Sequence, residues 1–366
     1  MVGFSPEGPG ASPEPPLTVD RRTPPFRVIT VTSNKGGVGK STIAANLAVY
    51  ARALREDLPV LIMSFDDQFL LERMFRLEGN PSRPTVVDVM RDGDFGSAIR
   101  LGQYGVGYVP SSLDVGEYKR ELTSPFELRR ILERSGWEGL VIIDTKSDLE
   151  ILTQNAIAAS DLAVIVVADS VSLAEAEKVY ALLDAWGRPR EHSRILLSLV
   201  DLRIKYREGE HRDVLALLIS EIRRRGYPLL ESFISRSPKI ESLYTNPEGR
   251  ARSVLHGARE SLIHRQLKHL TYDLLKTLDR LPALPDLPSE ATLPRPALPE
   301  GPAQPAAPAE PVPLEEQHLL SLDDLLDSDA AATLSWVEPE TAPCRQPEEP
   351  PYKVPARPNR MRRSGS

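Results

Sequence analysis

Residues 32–42 read T-S-N-K-G-G-V-G-K-S-T, and this stretch decides the fold. The segment before it, R-V-I-T-V-T (residues 27–32), is apolar and β-branched, which is typical of a buried parallel strand. The segment after it, I-A-A-N-L-A-V-Y-A-R-A-L, places apolar residues at helical spacing. A strand, a glycine-rich turn, Lys-Ser and a helix in this order predict a phosphate-binding loop.

Three glycines and a Lys-Ser pair supply what phosphate binding requires. The glycines allow the backbone to curl, so that successive N–H groups and the helix N-terminus point at phosphate oxygens. Lys40 is expected to reach the β- and γ-phosphates of ATP, and the Ser41 hydroxyl to ligate Mg²⁺. The alternative is a glycine-rich strand-to-helix turn with a surface lysine. The predicted nucleotide-binding residues of the loop are Lys35, Gly36, Gly37, Val38, Gly39, Lys40, Ser41 and Thr42.

Proline is spread unevenly over the 366 residues, and its distribution predicts the domain organisation. Residues 1–25 are rich in Pro and Gly and lack the charged start and apolar core of a signal peptide, so we expect a disordered arm. Residues 281–366 are rich in Pro, Ala and Glu with few aromatics, which predicts a disordered tail. One globular domain over residues 26–280 remains.

Charge and cysteine content exclude some classes of function. The net charge of -7 argues against a uniformly basic coat for nucleic acid, although it allows a local basic face. The single cysteine, Cys344, rules out an internal disulfide framework and fits a reducing cytosol. No apolar run approaches the roughly 20 residues that a membrane span needs. We therefore expect a cytoplasmic protein without a membrane span.

Strand-like and helix-like segments alternate through the middle of the chain. After residues 27–32, strands are predicted at 59–65, 105–110, 138–144, 161–168 and 194–200, and helices near 124–135, 149–159, 172–186, 208–225 and 252–278. This alternation predicts an α/β fold, a mostly parallel twisted sheet with helices on both faces. Together with the phosphate loop, it predicts the fold of a P-loop NTPase.

Two aspartates are candidates for the carboxylates that organise Mg²⁺ and water beside a phosphate loop. Asp144 ends the apolar run L-V-I-I-D, at the carboxyl end of a buried strand, where ligands gather in open α/β sheets. Asp66 follows the strand at 59–65, in S-F-D-D-Q. The alternatives are a strand-ending turn residue for Asp144 and a solvated turn for Asp66.

The string K-G-G-V-G-K-S, residues 35–41, resembles the deviant Walker A box of the ParA/MinD superfamily of ATPases, K-G-G-x-G-K-[ST]. In that family the extra lysine, matched here by Lys35, crosses a dimer interface to the phosphates of the partner. An ammonium in that position acts like an arginine finger supplied in trans. The alternative for Lys35 is a solvated loop cation.

Longer segments support the same resemblance, which covers roughly residues 27–278. The run from Asp144, D-T-K-S-D-L-E-I-L-T-Q-N-A-I-A-A-S-D, parallels the family's D-x-P-P-S-x-x-x-L-T-x-N-A-L-x-A-S-D, with Lys146 and Ser147 in place of two prolines. Ser64 replaces the first aspartate of the family's D-x-D-P-Q, so the rate of hydrolysis stays open. The resemblance implies Lys35, Lys40 and Asp66 in catalysis, Ser41, Asp66 and Asp144 at Mg²⁺, and Asp201, Arg203, Ser235 and Arg236 at the nucleotide.

Basic residues in the second half of the domain are candidate contacts for DNA phosphates. For the triplet at 223–225, the alternative is a solvated helix face, which charge runs usually form. A dimer that doubles such contacts should bind DNA with a steep salt dependence. The candidates are Arg203, Arg223, Arg224, Arg225, Arg236, Lys239, Arg250 and Arg252.

Taken as a family resemblance, these motifs imply a ParA-like ATPase. Such a protein forms an ATP-dependent sandwich dimer, binds double-stranded DNA without sequence preference, and positions chromosome, plasmid or another cargo. A ParB-like or other adaptor stimulates its hydrolysis, and it lies on the nucleoid of a prokaryote. The alternatives are a MinD-like spatial regulator, a weakly hydrolysing ATP-dependent scaffold, and a tyrosine autokinase, which Tyr352 alone supports poorly.

The tail contains one patterned segment, L-E-E-Q-H-L-L-S-L-D-D-L-L-D-S-D at residues 314–329. Its leucines form an apolar helical stripe on an acidic background. Because anionic lipid would repel such a helix, docking in a partner's groove is the favoured interpretation. An acidic disordered stretch with chance leucines is the alternative.

Overall fold

The computed structural model describes residues 26–66, 68–201, 214–244 and 251–285. The predicted arm at 1–25 and nearly all of the predicted tail, including 314–329, lie outside these ranges. The domain boundaries therefore stay a prediction. Within the described ranges, no helix combines the length and the apolar character that crossing a membrane requires.

The described residues form one eight-stranded sheet whose spatial order is β3-β4-β2-β5-β1-β6-β7-β8. All neighbouring strands run parallel except β3 and β4, which are antiparallel. The predicted α/β fold with a mostly parallel sheet is thus confirmed. The strands are β1 Phe26–Thr32, β2 Val60–Ser64, β3 Arg100–Leu101, β4 Gly107–Val109, β5 Gly139–Asp144, β6 Leu162–Val167, β7 Ser193–Val200 and β8 Leu229–Ser235.

Helices cover both faces of this sheet, and alternate residues of the central strand show how. Val28 packs among residues of α6 and α7, whereas Ile29 and Val31 pack among residues of α1 and α12. The helices are α1 Lys40–Leu54, α2 Leu70–Phe75, α3 Val86–Asp92, α4 Phe95–Ala98, α5 Val115–Tyr118, α6 Glu127–Arg134, α7 Ile151–Ala159, α8 Ser170–Ala185, α9 Val214–Arg224, α10 Pro238–Tyr244, α11 Val254–Gly257 and α12 Leu262–Arg280.

The strand register brings the predicted site residues to one edge of the sheet. β5 lies between β1 and β2, and Asp144 at its end is opposite Val31 of β1 and Ser64 of β2. The phosphate loop begins where β1 ends. Because all three strands are parallel, their carboxyl ends meet here, which is where ligands bind in open α/β sheets.

The sequence prediction of one long helix over 252–278 is wrong. The chain forms α11 and then α12, because Ala258 leaves the helical region at φ -151 and ψ 38. Ser261 then starts α12 by accepting a hydrogen bond from the His264 N–H. Strands β3 and β8 and helices α2 to α5 and α10 were not predicted, since each is short or mixes polar and apolar residues.

Asp161, just before β6, joins three elements of the buried layer. One carboxylate oxygen accepts the Val28 N–H of β1 at 2.7 Å, and the other lies 3.4 Å from the Arg129 guanidinium of α6. Arg129 also bonds Glu133 at 2.8 Å on the surface side. The same guanidinium therefore has one buried and one exposed carboxylate partner.

This arrangement predicts that substitution of Asp161 destabilises the protein much more than substitution of Glu133. Asp161→Ala removes the buried carboxylate from the Arg129 guanidinium and the acceptor of the Val28 N–H, so we expect the free energy of unfolding to fall by about 3–5 kcal/mol. Glu133, 48% exposed, is the matched control, and Glu133→Ala should cost less than about 1 kcal/mol. Urea unfolding measures both, and equal losses would contradict a structural role for Asp161.

Candidate functional site

The loop between β1 and α1 has the backbone shape that its glycines predict. Gly37 and Gly39 adopt left-handed conformations with φ 73 and 93, which residues with a Cβ rarely take. Gly39 is the N-cap of α1, and no acidic residue lies in the first helical turn. The predicted strand, loop and helix are present, and the free N–H groups and positive end of α1 favour an anion at this place.

Lys40 lies under the loop with its ammonium turned inward. Its side chain is only 6% exposed, and its Nζ contacts the Ser147 hydroxyl and the Lys35 carbonyl, the latter at 3.4 Å. Burial lowers the pKa of Lys40, against the opposing effect of Asp144, Asp66 and Asp148. No ion pair joins Lys40 to a carboxylate among the described residues. The ammonium is therefore placed to accept an anionic oxygen.

Asp144 is buried with one of its two carboxylate oxygens unpartnered. Oδ2 accepts the Ser64 hydroxyl at 3.2 Å, whereas Oδ1 has no hydrogen-bond partner. Burial raises the pKa of Asp144 to about 7, and the nearby Asp66 adds to this effect, while Ser41, Lys40 and Ser64 oppose it. A buried oxygen without a partner is costly, so this atom has its natural partner in a cation or a proton.

Ser64 connects the two predicted carboxylates. Its hydroxyl donates to Asp144 and accepts the Asp66 N–H at 2.9 Å. Asp66 in turn accepts the Gln68 N–H at 3.1 Å, which fixes the turn after β2. The neutral hydroxyl at Ser64 therefore takes the place of a buried carboxylate without breaking the connection between Asp66 and Asp144. Asp67, between Asp66 and Gln68, lies outside the described residues.

The oxygen groups at this place fit Mg²⁺. The unpartnered Oδ1 of Asp144, the Asp66 carboxylate and the Ser41 hydroxyl are the hard oxygen donors that Mg²⁺ prefers. No group of three or more His, Cys, Asp or Glu residues that could hold a metal occurs in the described part of the chain. This fits an ion held by one or two carboxylates together with phosphate oxygens and water, as is usual for Mg²⁺.

Lys35 does not extend into solvent but forms an ion pair with Asp169 of the same chain. Asp169 is also the N-cap of α8, since its Oδ1 accepts the Ser172 N–H at 2.8 Å. The neighbouring Asn34 contacts Glu175 on α8. Two neighbouring residues of the loop, Asn34 and Lys35, are thus both bound to side chains at the start of α8. Asp169 and Glu175 were not identified from the sequence, although D-S-V-S is recognisable there as a capping box.

The segment after β5 packs against the phosphate loop. The Thr145 hydroxyl donates to the Val31 carbonyl at 3.1 Å, and Ser147 contacts Lys40. A Cβ at Gly36 would lie 3.7 Å from the Ser147 hydroxyl oxygen. Lys146 is half-buried in the same segment. The two residues that replace prolines of the family pattern therefore lie at the loop, as their alignment implies.

Tyr244 is a further residue at the site that the sequence did not reveal. It ends α10, hydrogen-bonds Thr42 of the loop, and lies 3.4 Å from the Asn46 amide nitrogen. Burial raises the pKa of Tyr244 to about 12. Asn46 connects this contact to α11 by accepting the Val254 N–H at 2.8 Å. A lone tyrosine far along the chain carries no sequence signal for this position.

The four other nucleotide candidates are divided between described and undescribed residues. Asp201 directly follows β7, while Arg203 lies outside the described residues. Ser235 is buried, and both its hydroxyl and its N–H donate to the Gln266 side chain of α12. The Arg236 side chain is exposed, and its N–H donates to the Val200 carbonyl at 2.8 Å. A nucleotide contact for these residues stays a prediction.

The DNA candidates differ in how much of their charge is available. Glu221 binds Arg224 through two hydrogen bonds of 2.7 Å and Arg225 through one of 2.6 Å. These bonds, that to Arg224 first, lower the pKa of Glu221 to about 2. Such pairing favours the solvated-face interpretation of the triplet. Arg223, Arg236, Lys239 and Arg252 are exposed, and Arg203 and Arg250 lie outside the described residues.

Known proteins match this chain over part of its length. A family model described as an AAA domain matches residues 26–185. An uncharacterized ATP-binding protein of Methanocaldococcus jannaschii is 31% identical over 162 residues, 43% of this chain and 60% of the relative. The chromosome partitioning protein ParA of Caulobacter vibrioides is 30% identical over 146 residues, 37% of this chain and 54% of ParA. The alignments thus span little more than half of these relatives.

Among solved structures, the septum site-determining protein MinD of Pyrococcus horikoshii in complex with Mg-ADP shares the fold. The TM-score is 0.52 at 22% identity, over 68% of this chain and 96% of MinD. This likeness confirms the predicted P-loop NTPase fold.

The buried Asp144 predicts a pH dependence of stability in the protein without nucleotide or metal. Its pKa is raised from 3.8 to about 7, so the folded state binds a proton that the unfolded state has released. The stabilisation is complete below about pH 4 and is lost as the pH rises through about 7. Asp144→Asn should therefore unfold at a higher temperature than the parent at about pH 8, and this advantage should shrink toward pH 5.

Thermal unfolding over this pH range measures the effect, with Glu133→Gln as an exposed control. Addition of Mg²⁺ at the higher pH should stabilise the parent and leave Asp144→Asn unchanged. A stability difference that is the same at every pH would show that Asp144 does not titrate in this range.

Proposed function

We propose that this chain, which resembles the ParA/MinD superfamily in its motifs and is similar to ParA over part of its length, binds ATP with Mg²⁺ and hydrolyses ATP. One observation carries the proposal: under a glycine-rich loop, Lys40 and Asp144 are both buried and each affects the pKa of the other, yet Lys40 has no carboxylate partner among the described residues and the Asp144 Oδ1 is unpartnered. A buried cation and a buried anion that do not pair with each other call for a ligand with phosphates and a metal.

In this proposal the residues of the loop do most of the binding. The loop N–H groups and Lys40 hold the phosphates, and Ser41 and Asp144 hold Mg²⁺. When bound, Mg²⁺ supplies charge neutralisation on the β- and γ-phosphate oxygens. Asp66 orients the attacking water, and Ser64 positions Asp66 relative to Asp144 through its two hydrogen bonds. Water is the nucleophile, so little covalent chemistry is left to the protein.

The weakly hydrolysing ATP-dependent scaffold remains a second candidate because of Ser64. A hydroxyl in place of a carboxylate removes one negative charge from the site, so fewer charged groups act on the water. We therefore expect slow hydrolysis by the protein alone. Acceleration by DNA and an adaptor would favour a cycling ATPase, whereas turnover that stays at the background rate would favour the scaffold.

Dimerisation with ATP is the next step of the proposal. Lys35 would exchange its ion pair with Asp169 for the phosphates bound by the partner. Both side chains are partly exposed, at 34% and 45%, so this ion pair is worth at most about 1 kcal/mol. Phosphates of the partner's ATP, which carry more charge, can compete with a single carboxylate for Lys35.

Variants of the two lysines should separate nucleotide binding from pairing. Lys40→Ala removes the buried ammonium, so ATP affinity should fall by on the order of 100-fold. Lys35→Ala should leave the ATP affinity of the monomer within about threefold and abolish the ATP dimer. Asp169→Asn keeps an acceptor for the α8 cap and removes the ion pair, so it should dimerise at lower protein concentration.

Titration of a fluorescent ATP analogue measures the affinities, and light scattering with ATP measures the dimer. An ATP dimer that forms normally in Lys35→Ala would contradict the trans role, while the role of Lys40 would be untouched.

We further propose that the ATP dimer binds double-stranded DNA without sequence preference and positions a cargo with a ParB-like or other adaptor, on the nucleoid of a prokaryotic cytoplasm. The exposed Arg236, directly after β8, and Lys239, in the first turn of α10, are the best candidate contacts, since neither makes a side-chain ion pair among the described residues. Arg252 is a third exposed candidate. Two protomers would double each contact.

Binding to random-sequence duplex DNA, with ATP against ADP over a salt series, tests this function. Arg236→Glu/Lys239→Glu should weaken binding, and the salt slope should fall by about 0.9 for each DNA phosphate that the variant no longer neutralises. Arg224→Glu/Arg225→Glu is the control, because Glu221 already neutralises much of that charge. Binding that is absent in both nucleotide states, or equal in both, would overturn the DNA switch without affecting the proposed ATPase.

A further inference from the structure

One face of α12 carries basic side chains around an exposed tyrosine. Arg265, Lys268, Tyr272 and Lys276 lie at spacings of three, four and four residues, and therefore on one side of the helix. We call these four residues the α12 basic row. The opposite side, including Leu267, packs into the core. Tyr272 is 42% exposed, and the Lys276 Nζ lies 5.7 Å from its ring centroid.

The carboxylates of α12 that lie nearest to this row are already bonded elsewhere. Asp273 accepts the Ser232 hydroxyl of β8 at 2.6 Å and lies 3.3 Å from His269. Asp279 lies 3.6 Å from the Arg55 guanidinium at the end of α1. Both acids are thus turned toward neighbouring elements. The row presents positive charge and one aromatic ring, that of Tyr272, which is 42% exposed.

The chain itself contains a segment with the complementary chemistry. Residues 286–340 contain 12 acidic residues and a single basic one, Arg295. Half of these acidic residues lie in 314–329, where they alternate with leucines at the spacing that predicts an amphipathic helix. We propose that segment 314–329 docks on the α12 basic row, with its carboxylates against Arg265, Lys268 and Lys276 and its leucines against Tyr272.

The length of the intervening chain permits this contact. Residues 281–313 separate the end of α12 from the segment, and 33 residues can span up to about 110 Å. The 19 residues of α12 measure only about 28 Å, so the segment can reach either end of the row. Because both partners belong to one chain, their effective concentration is about millimolar, and weak surface ion pairs suffice.

Zero-length carbodiimide cross-linking of the full-length protein without nucleotide tests this proposal. The reagent joins a carboxylate to a lysine only where they touch, and Lys268 and Lys276 are the reporters. We expect peptides that join 314–329 to these lysines at low salt and their disappearance at about 1 M salt, where the Debye length is about 3 Å. Mixing ¹⁵N-labelled with unlabelled protein separates links within a chain from links between chains.

Two test variants, each with a control variant, leave both reporter lysines in place. Asp323→Asn/Asp324→Asn/Asp327→Asn should lower the cross-links from the remaining acids by roughly tenfold. Its matched control, Glu338→Gln/Glu340→Gln/Glu348→Gln, removes the same charge elsewhere in the tail and should leave them unchanged. Arg265→Glu/Tyr272→Ala changes the α12 basic row itself and should also lower the cross-links from 314–329. Arg223→Glu lies outside the row and should leave these cross-links unchanged.

Four results would overturn the proposal. Links from 314–329 spread equally over Lys178 and Lys239 would show non-specific contact. Links to Lys353 alone would show that the basic end of the tail is the partner. Links found only between chains would assign the segment to another molecule. If the α12 basic row binds DNA but yields no links to the segment, the row would be a nucleic-acid surface. None of these results bears on the proposed ATPase.

Discussion

The buried carboxylate of Asp144 is the constraint on which the rest of the site depends. It ends the middle of three parallel strands, and its Oδ1 is buried without a hydrogen-bond partner in the described part of the chain. The neighbouring groups limit the resulting cost: Ser64 holds the second oxygen, and Lys40 lies close enough to oppose the rise in pKa. A buried carboxylate with one unpartnered oxygen favours the binding of a cation, because the cation offsets the cost of removing that oxygen from water.

The sequence could predict this arrangement because its signals are local. A strand that ends in aspartate, and a strand followed by glycines and Lys-Ser, each place a functional group at the carboxyl edge of a parallel sheet by backbone periodicity alone. The positions of Lys40, Ser41 and Asp144 follow from those signals. Ser64 was noticed only as a departure from a pattern, yet the strand register shows why it matters, since it lies directly opposite Asp144.

Part of what the sequence could not predict depends on contacts between distant segments, and part on local backbone and ion-pair details. The ion pair of Lys35 with Asp169 spans 134 positions, and Tyr244 reaches the loop across 198 positions from Asn46. The break between α11 and α12 depends on one non-helical residue inside an otherwise helical pattern. Glu221 joins two arginines that appear in the sequence as free cations. The contacts of Lys35 and Tyr244 are tertiary, whereas the helix break and the Glu221 ion pairs, at i,i+3 and i,i+4, are local.

The two carboxylate oxygens of Asp169 have different partners: Oδ1 accepts the hydrogen bond that caps α8, and Oδ2 contacts Lys35. Departure of Lys35 would therefore leave the helix start intact, and only a partly exposed ion pair would be exchanged for another. Because the Lys35–Asp169 pair is worth at most about 1 kcal/mol, it opposes the exchange only weakly. Its direction would then be set by mass action, so the protein would respond to its own local concentration.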